Sequence, residues 1–256
     1  MLRATMGDIS VKSGILAVLK RIDEALIKRP ADIRGAKPVL VAVSKTKPVE
    51  MIAEAYSTGQ RHFGENYVQE LVDKGSNPVI LEQCAEIKWH FIGHLQTNKI
   101  NKVIKVPGLY MIETVDTEKL ANSLNNAWGR VDIPSKEPLR VLVQVNTSGE
   151  AEKNGVHPKE AAVLFKHIRD NLPNLKVEGV MTIGKFGHDY STGPNPDFVA
   201  LMQCHRDVCD LCHLNPEDVQ VSMGMSDDFE RAIEMGSTIV RVGSSIFGFR
   251  PKKVDA

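Results

Sequence analysis

Cysteine, surplus charge, long apolar runs and a glycine fingerprint are all scarce in this chain, and each shortage removes a class of function. Among 256 residues only Cys84, Cys204, Cys209 and Cys212 are cysteine. They are too few and too unevenly spaced for a disulfide framework. Cys209-Asp-Leu-Cys212-His213 has the spacing of covalent haem attachment, and Cys204, His205, Cys209, Cys212 and His213 are residue types that bind metals. Haem attachment of that kind needs an export context, and structural zinc sites usually draw ligand pairs from two separate loops. No second pair exists, so these are read as helix cysteines, buried or half exposed. Lys+Arg and Asp+Glu are both 32, for a formal net charge of +0. A nucleic-acid binder usually shows a basic excess, so no nucleic-acid partner is expected. No apolar run approaches the roughly 18 residues of a membrane span, so no membrane partner is expected either. The opening Met1–Asp8 lacks the apolar stretch of a secretory signal and makes a poor transit peptide, with one Arg and an early Asp8. A cytoplasmic protein is the expectation, with the mitochondrion as the less favoured alternative. Without a secretory route the Asn146-Thr-Ser148 sequon carries no meaning.

What is present begins at Val39-Leu-Val-Ala-Val-Ser-Lys-Thr-Lys-Pro48, a β-branched apolar run that stops at two lysines and a proline. Side chains alternate along a strand, so Val39, Val41 and Val43 share one face and Lys45 continues it. An ammonium ending an apolar face is poorly solvated and is pushed toward its neutral, nucleophilic form. That is the chemistry of Schiff-base formation with an aldehyde. A solvated strand cap is the other reading of the same ten residues. Lys47 extends the parity as a second cation, and with Pro48 behind it is expected extended and outside any pocket.

Apolar residues at three-four spacing, Val11, Ile15, Val18, Leu19, Ile22 and Leu26, predict a helix over residues 9–29. Strands are predicted at Pro38–Ser44, Arg61–Glu65, Lys88–Gly93, Tyr110–Thr114, Leu139–Asn146, Val177–Ile183, Val219–Met223 and Ile239–Gly243. Between them lie helical stretches at Val49–Tyr56, Thr117–Trp128, Pro158–Asp170, Asp197–Leu214 and Asp227–Glu234, with shorter ones at 66–75 and 97–105. Strands alternating with helices indicate a parallel sheet. Eight such strands close a (β/α)8 barrel, and the length suits that fold. The expected architecture is therefore α/β, a single TIM-type barrel domain over residues 1–256 with its core at about 8–250 and an extra N-terminal helix. An open doubly wound sheet is the alternative, weakened because no Gly-x-Gly-x-x-Gly follows the first strand. Pro134–Pro138 and Gly184–Pro196 read as loops within one domain.

Barrel enzymes carry their sites at the C-terminal ends of the strands. Ser222-Met-Gly-Met-Ser226 and Arg241-Val-Gly-Ser-Ser245 there have the small residues and hydroxyls of a phosphate cradle, which barrels often build after strands seven and eight. Ser226-Asp-Asp228 also reads as an N-cap with first-turn acids, and Asp227 and Asp228 are expected to face away from an anion. His90 and His94, four apart on a strand, lie about 13 Å apart and do not share a metal. His90 is either a lining residue of the barrel mouth or a satisfied core histidine. Glu65 is either a structural hydrogen-bond acceptor or a general base. A lysine opposite a phosphate cradle suggests pyridoxal phosphate, which also needs a group facing its pyridine nitrogen, and Arg241 is placed for that task. Arginine stays protonated and so discourages protonation of the ring nitrogen, which leaves a weaker electron sink.

Val41-Ala-Val-Ser-Lys-Thr-Lys-Pro48, Phe63-Gly-Glu-Asn-Tyr67, Trp89-His-Phe-Ile-Gly-His-Leu-Gln96, Met181-Thr-Ile-Gly184, Gly193-Pro-Asn-Pro-Asp-Phe198, Ser222-Met-Gly-Met-Ser226 and Arg241-Val-Gly-Ser-Ser-Ile-Phe-Gly248 run in order. Together they resemble the pyridoxal phosphate homeostasis protein family. The resemblance implies a fold-type III barrel related to the N-terminal domain of alanine racemase. It implies pyridoxal 5′-phosphate as cofactor, bound to Lys45, with Ser222, Gly243 and Ser244 at the phosphate and Arg241 near the pyridine nitrogen. Many relatives have Thr where this chain has Ser244, and the hydroxyl is kept. The cofactor-binding set expected on this basis is Lys45, Asn66, His90, Met181, Ser222, Met225, Arg241, Gly243 and Ser244. Members of that family are understood as carriers or regulators of the cofactor without established catalysis. The implied partners are the cofactor itself and pyridoxal phosphate-dependent apo-enzymes that receive it, the implied state a monomer or weak dimer. Alanine racemase uses a second base, a tyrosine from a β-rich domain. This sequence has no counterpart of it before Ala256, and Tyr67, the one tyrosine near a strand end, reads as lining. Two alternatives stay open: a racemase or lyase acting on a small amino acid, and a phosphate-binding barrel enzyme without pyridoxal phosphate. Lys153, in the loop after strand five, is a candidate secondary aldehyde acceptor.

Overall fold

The structure, a computed structural model, describes residues 10–33, 37–132 and 137–249. Eight parallel strands close a barrel in sequence order: β1 (Val39–Val43), β2 (His62–Glu65), β3 (Lys88–Phe91), β4 (Leu109–Val115), β5 (Leu139–Gln144), β6 (Leu175–Met181), β7 (Gln220–Ser222) and β8 (Ile239–Val242). Closure is made by β1 on β8, with Val39 opposite Ile239 and Val41 opposite Arg241. The open doubly wound alternative is thereby excluded.

Helices cover the barrel in the expected order. They are α1 (Val11–Lys28), α2 (Val49–Ser57), α3 (Val68–Gly75), α4 (Pro78–Gln83), α5 (Ile100–Val103), α6 (Glu118–Gly129), α7 (Ala161–Asn171), α8 (Pro196–Cys212), α9 (Phe229–Glu234) and α10 (Ser244–Phe247). In α1 the Ser10 hydroxyl accepts from the Ser13 N–H, and Val11, Ile15, Val18 and Ile22 turn inward while Leu19 and Leu26 are partly buried. This helix precedes the first strand and packs on α9 and α10, so it braces the seam where the barrel closes. Two helices, α4 and α10, were not predicted. Asn77-Pro78 is a cap followed by proline at the first helical position, a start signal that the short apolar run after it hid. Helix α9 begins at Phe229 behind an Asp228 cap position, two residues later than the pattern suggested. The loop predicted at Pro134–Pro138 lies mostly outside the described residues.

Strand alternation divides the apolar side chains into two cores. Val41, Met111, Leu142, Met181 and Ile239 fill the barrel interior. Leu40, Ala42, Phe63, Trp89, Phe91, Ile112, Val141 and Val180 face the helices in the larger outer core. The interior parity of Val41 carries on to Lys45 at the rim, as the sequence pattern required. All four cysteines are buried, three of them on α8, and no group of three or more metal-ligating residues occurs among the described residues. No helix among them is long and apolar enough to cross a membrane.

Candidate cofactor site

A cavity of about 590 Å³ opens at the C-terminal ends of the strands. That volume lies in the range of small-molecule sites. Lys45, Asn66, Met181, Met225, Arg241, Gly243 and Ser244 all line it, so seven of the expected residues converge there from β1, β2, β6, β7 and β8. Ile92, Phe186, Ser226 and Phe249 complete much of the wall.

Lys45 reaches the cavity because the chain turns sharply behind it. The Lys47 N–H donates to the Ser44 carbonyl at 3.0 Å, and Thr46 has φ of 64°. A positive φ at the third residue is the pattern of a type II turn, and for a β-branched residue it is strained. This turn corrects the expectation for Lys47. Instead of running outward, Lys47 folds back to line the cavity, with Nζ 3.2 Å from the Phe249 carbonyl.

The β7–α9 and β8–α10 loops, the expected phosphate cradle, meet in the wall of this cavity. Gly224 has φ of 93°, and a Cβ there would lie 2.5 Å from that of Ala232. Glycine therefore lets the loop turn tightly over α9. The Gly243 N–H donates to Ser226 Oγ at 3.1 Å, which stitches the two loops together. Ser244 and Ser245 open α10, so their N–H groups have no intrahelical acceptor and are available to an anion. Asp228 turns aside, its Oδ1 taking the Met225 N–H at 2.6 Å, while burial pushes its carboxyl above the ordinary range. Asp227, expected to face away, instead stands exposed on the cavity rim.

Arg241 stands at the cavity floor, 4% exposed. Its Nη1 donates to Ser222 Oγ at 2.6 Å and its Nη2 to the Thr182 carbonyl at 2.7 Å. The Ser222 hydroxyl in turn donates to Glu113 Oε2 at 2.6 Å. Glu113 Oε1 lies 2.7 Å from His90 Nδ1, and His90 Nε2 lies 2.8 Å from His62 Nδ1. A polar chain thus runs through the barrel from the cavity to His62. Burial pulls the Arg241 guanidinium down from its usual value, opposed by Glu113 and Asp228. Burial pushes the Glu113 carboxyl upward, but His90, Arg241 and Ser222 together outweigh it and leave it below the ordinary range. His62 is held down to about 3, first by burial and then by the charges of His90 and Lys88, so its ring is neutral.

This chain corrects two placements. Ser222 does not stand at the anion loops: it is fully buried, and its hydroxyl is committed to Arg241 and Glu113. His90 is the satisfied core histidine of the two readings, 1% exposed and away from the mouth. His94 points away from it, 48% exposed and 3.9 Å from Asp116. Tyr67 is exposed at the start of α3 rather than lining. Lys153 Nζ donates to the Gly184 carbonyl at 2.6 Å and pairs with Glu150 at 3.1 Å, outside the cavity wall. Glu113, which joins Ser222 to His90 beneath the cavity, is absent from the expected set. Its signal was a lone carboxylate within the apolar run Tyr110-Met-Ile-Glu-Thr-Val115, on the same face as Met111.

A closed parallel barrel with a rim lysine, a buried arginine and paired small-residue loops defines a class, and the sequence model described as "Alanine racemase, N-terminal domain" matches residues 18–251. Pyridoxal phosphate homeostasis protein of Bos taurus is 54% identical over 255 residues, covering 97% of this chain and 93% of that protein. The Homo sapiens protein of the same name is 52% identical, covering 95% and 88%. Among solved structures, PipY of Synechococcus elongatus with PLP bound is 28% identical with a TM-score of 0.69, covering 90% of this chain and 100% of that one. The chain belongs to the pyridoxal phosphate homeostasis protein family, within the alanine racemase N-terminal domain class.

Proposed function

We propose that this protein holds pyridoxal 5′-phosphate in the barrel-mouth cavity on Lys45 and hands it on to apo-enzymes that need it. The observation that carries this reading is the convergence of Lys45, Arg241 and the Ser226/Ser244 loops on one cavity. The residues present fit the group. Asn66 Oδ1 is buried at the wall with no hydrogen-bond partner among the described residues, an acceptor that a ligand donor would satisfy. The anion loops would take the phosphate, Lys45 the aldehyde and Arg241 the ring nitrogen. Apolar Ile92, Met181 and Ile183 would bracket the ring. When bound, the cofactor supplies an aldehyde that a lysine amine takes up as a C=N bond with release of one water.

The charge at Arg241 supports holding over turnover. Glu113 and Ser222 fix the guanidinium from behind and present a permanent cation to the cavity. A cation there opposes a proton on the ring nitrogen, the proton that strengthens the ring as an electron sink. The test is to add pyridoxal phosphate to wild type and Lys45→Ala, reduce with borohydride and weigh the protein. Wild type gains the mass of one cofactor less the water released, plus the two hydrogens added on reduction. Full retention of fixed cofactor in Lys45→Ala would remove Lys45 from its role. Incubation with amino acids in deuterated water checks turnover, and deuterium appearing at Cα would restore the racemase reading.

A further inference from the structure

Beneath Lys45 lies a buried ion cluster that the proposed chemistry does not itself use. Lys74, in the last turn of α3, is 6% exposed. Its Nζ donates to the Ser44 carbonyl, Glu65 Oε1 and Glu70 Oε1, each at 2.7 Å. Those three bonds use all of an ammonium's protons. Ser44 Oγ donates to the same Glu65 oxygen at 2.6 Å, and the Thr46 N–H donates to Glu70 Oε1. The cluster therefore grips the residue before Lys45 and the residue after it. Ser44 and Thr46 are also the residues that make the strained turn, since the Ser44 carbonyl closes it and Thr46 carries the positive φ.

We propose that Lys74 is a positioning residue for Lys45: by holding the Ser44 carbonyl directly and the Thr46 N–H through Glu70, it locks the turn that aims the Lys45 amine into the cavity. The inference rests on the reading of Lys45 as the aldehyde-binding lysine. Its physical basis is that two buried ionisable groups, Lys74 and Glu65, with the partly exposed Glu70 beside them, are costly unless mutually satisfied. Glu65 is fully buried, and its Oε2 has no partner among the described residues. Burial pushes the Glu65 carboxyl above its ordinary range, against the opposing pull of Lys74 and Ser44, and Lys74 is the cation in contact with it. Glu70 and Glu65 converge on that one ammonium, so removing it loosens both arms of the grip together.

The experiment compares two ligands on wild type, Lys74→Met and Glu70→Gln. Pyridoxal 5′-phosphate can be fixed on Lys45, whereas pyridoxine 5′-phosphate, with an alcohol in place of the aldehyde, reports only the ring and phosphate contacts. The rate of borohydride-trappable fixation is expected to fall about tenfold in Lys74→Met, a factor equal to roughly 1.4 kcal/mol. A smaller fall is expected in Glu70→Gln, whose side chain is 22% exposed and whose loss the fold tolerates more readily. The dissociation constant for pyridoxine 5′-phosphate stays as in wild type. Unchanged fixation in both variants would overturn the proposal. So would parallel weakening of both ligands, which marks a merely structural role. Should Lys74→Met not fold, Glu70→Gln decides between the same outcomes. Failure of wild type itself to fix the cofactor would instead overturn the function of Lys45.

Discussion

Glu113 shows how one side chain sets the chemistry of a cavity it does not line. It sits between a histidine and a serine with no exposure at all, and through Ser222 it supplies the negative charge that answers Arg241. Breaking a buried ionic arrangement by removing one member leaves the other uncompensated, which costs about 3–5 kcal/mol. Glu113→Gln is therefore expected to lose about 3 kcal/mol or more of stability in urea unfolding at neutral pH. The pH dependence has a definite sign. The folded-state carboxyl is held below its unfolded value. Its contribution is therefore present above the unfolded value of about 4.3 and is lost as pH falls through the folded one. The stability gap between wild type and Glu113→Gln should hold from pH 7 to about 5 and begin to close below roughly 4.3. A gap that widens in acid would contradict this assignment.

At the scale of elements, the loops after β7 and β8 work as one unit because Ser226 Oγ ties them and Gly224 lets the first fold back. Gly224→Ala must relieve both a positive φ and a Cβ 2.9 Å from the Phe229 Cα, so α9 has to shift. A loss of about 1–3 kcal/mol in stability is expected from the strained backbone. A weaker grip on inorganic phosphate should accompany it, read as a higher dissociation constant by calorimetry. Wild-type phosphate affinity in the variant would show that these loops do not form the anion site. The strands themselves were legible because β-branched runs end in polar residues, and alternation put Lys45 on the face of Val41 and Val43 that ends at the cavity. What escaped was anything decided by a partner distant in sequence. Ser222 reads as a free hydroxyl in a small-residue loop until Glu113, far earlier in the chain, is seen to claim it. Lys47 reads as extended because the positive φ at Thr46 is held by Glu70 rather than by a glycine.

For the whole molecule, the site exists only once the barrel has closed. Lys45 and Arg241 are nearly two hundred residues apart in the chain and meet because β1 pairs with β8. A ligand that bridges both ends of the chain binds the native state and has little to bind in the unfolded one, so its binding free energy adds to folding stability. At a hundred times the dissociation constant that addition is about 2.7 kcal/mol. For a chain of this length each kcal/mol moves the melting temperature by roughly 2–4 °C, so saturating pyridoxal phosphate should raise it by roughly 5–10 °C. Lys45→Ala removes the covalent part and keeps Arg241 and the anion loops, so a smaller rise should survive, and pyridoxine 5′-phosphate should give wild type and variant nearly the same rise. Scanning calorimetry with both ligands separates the contributions. If the variant loses the shift with both, the lysine shapes the cavity as well as the bond. If it loses it with neither, the loops and arginine carry the binding alone and Lys45 serves only to delay release.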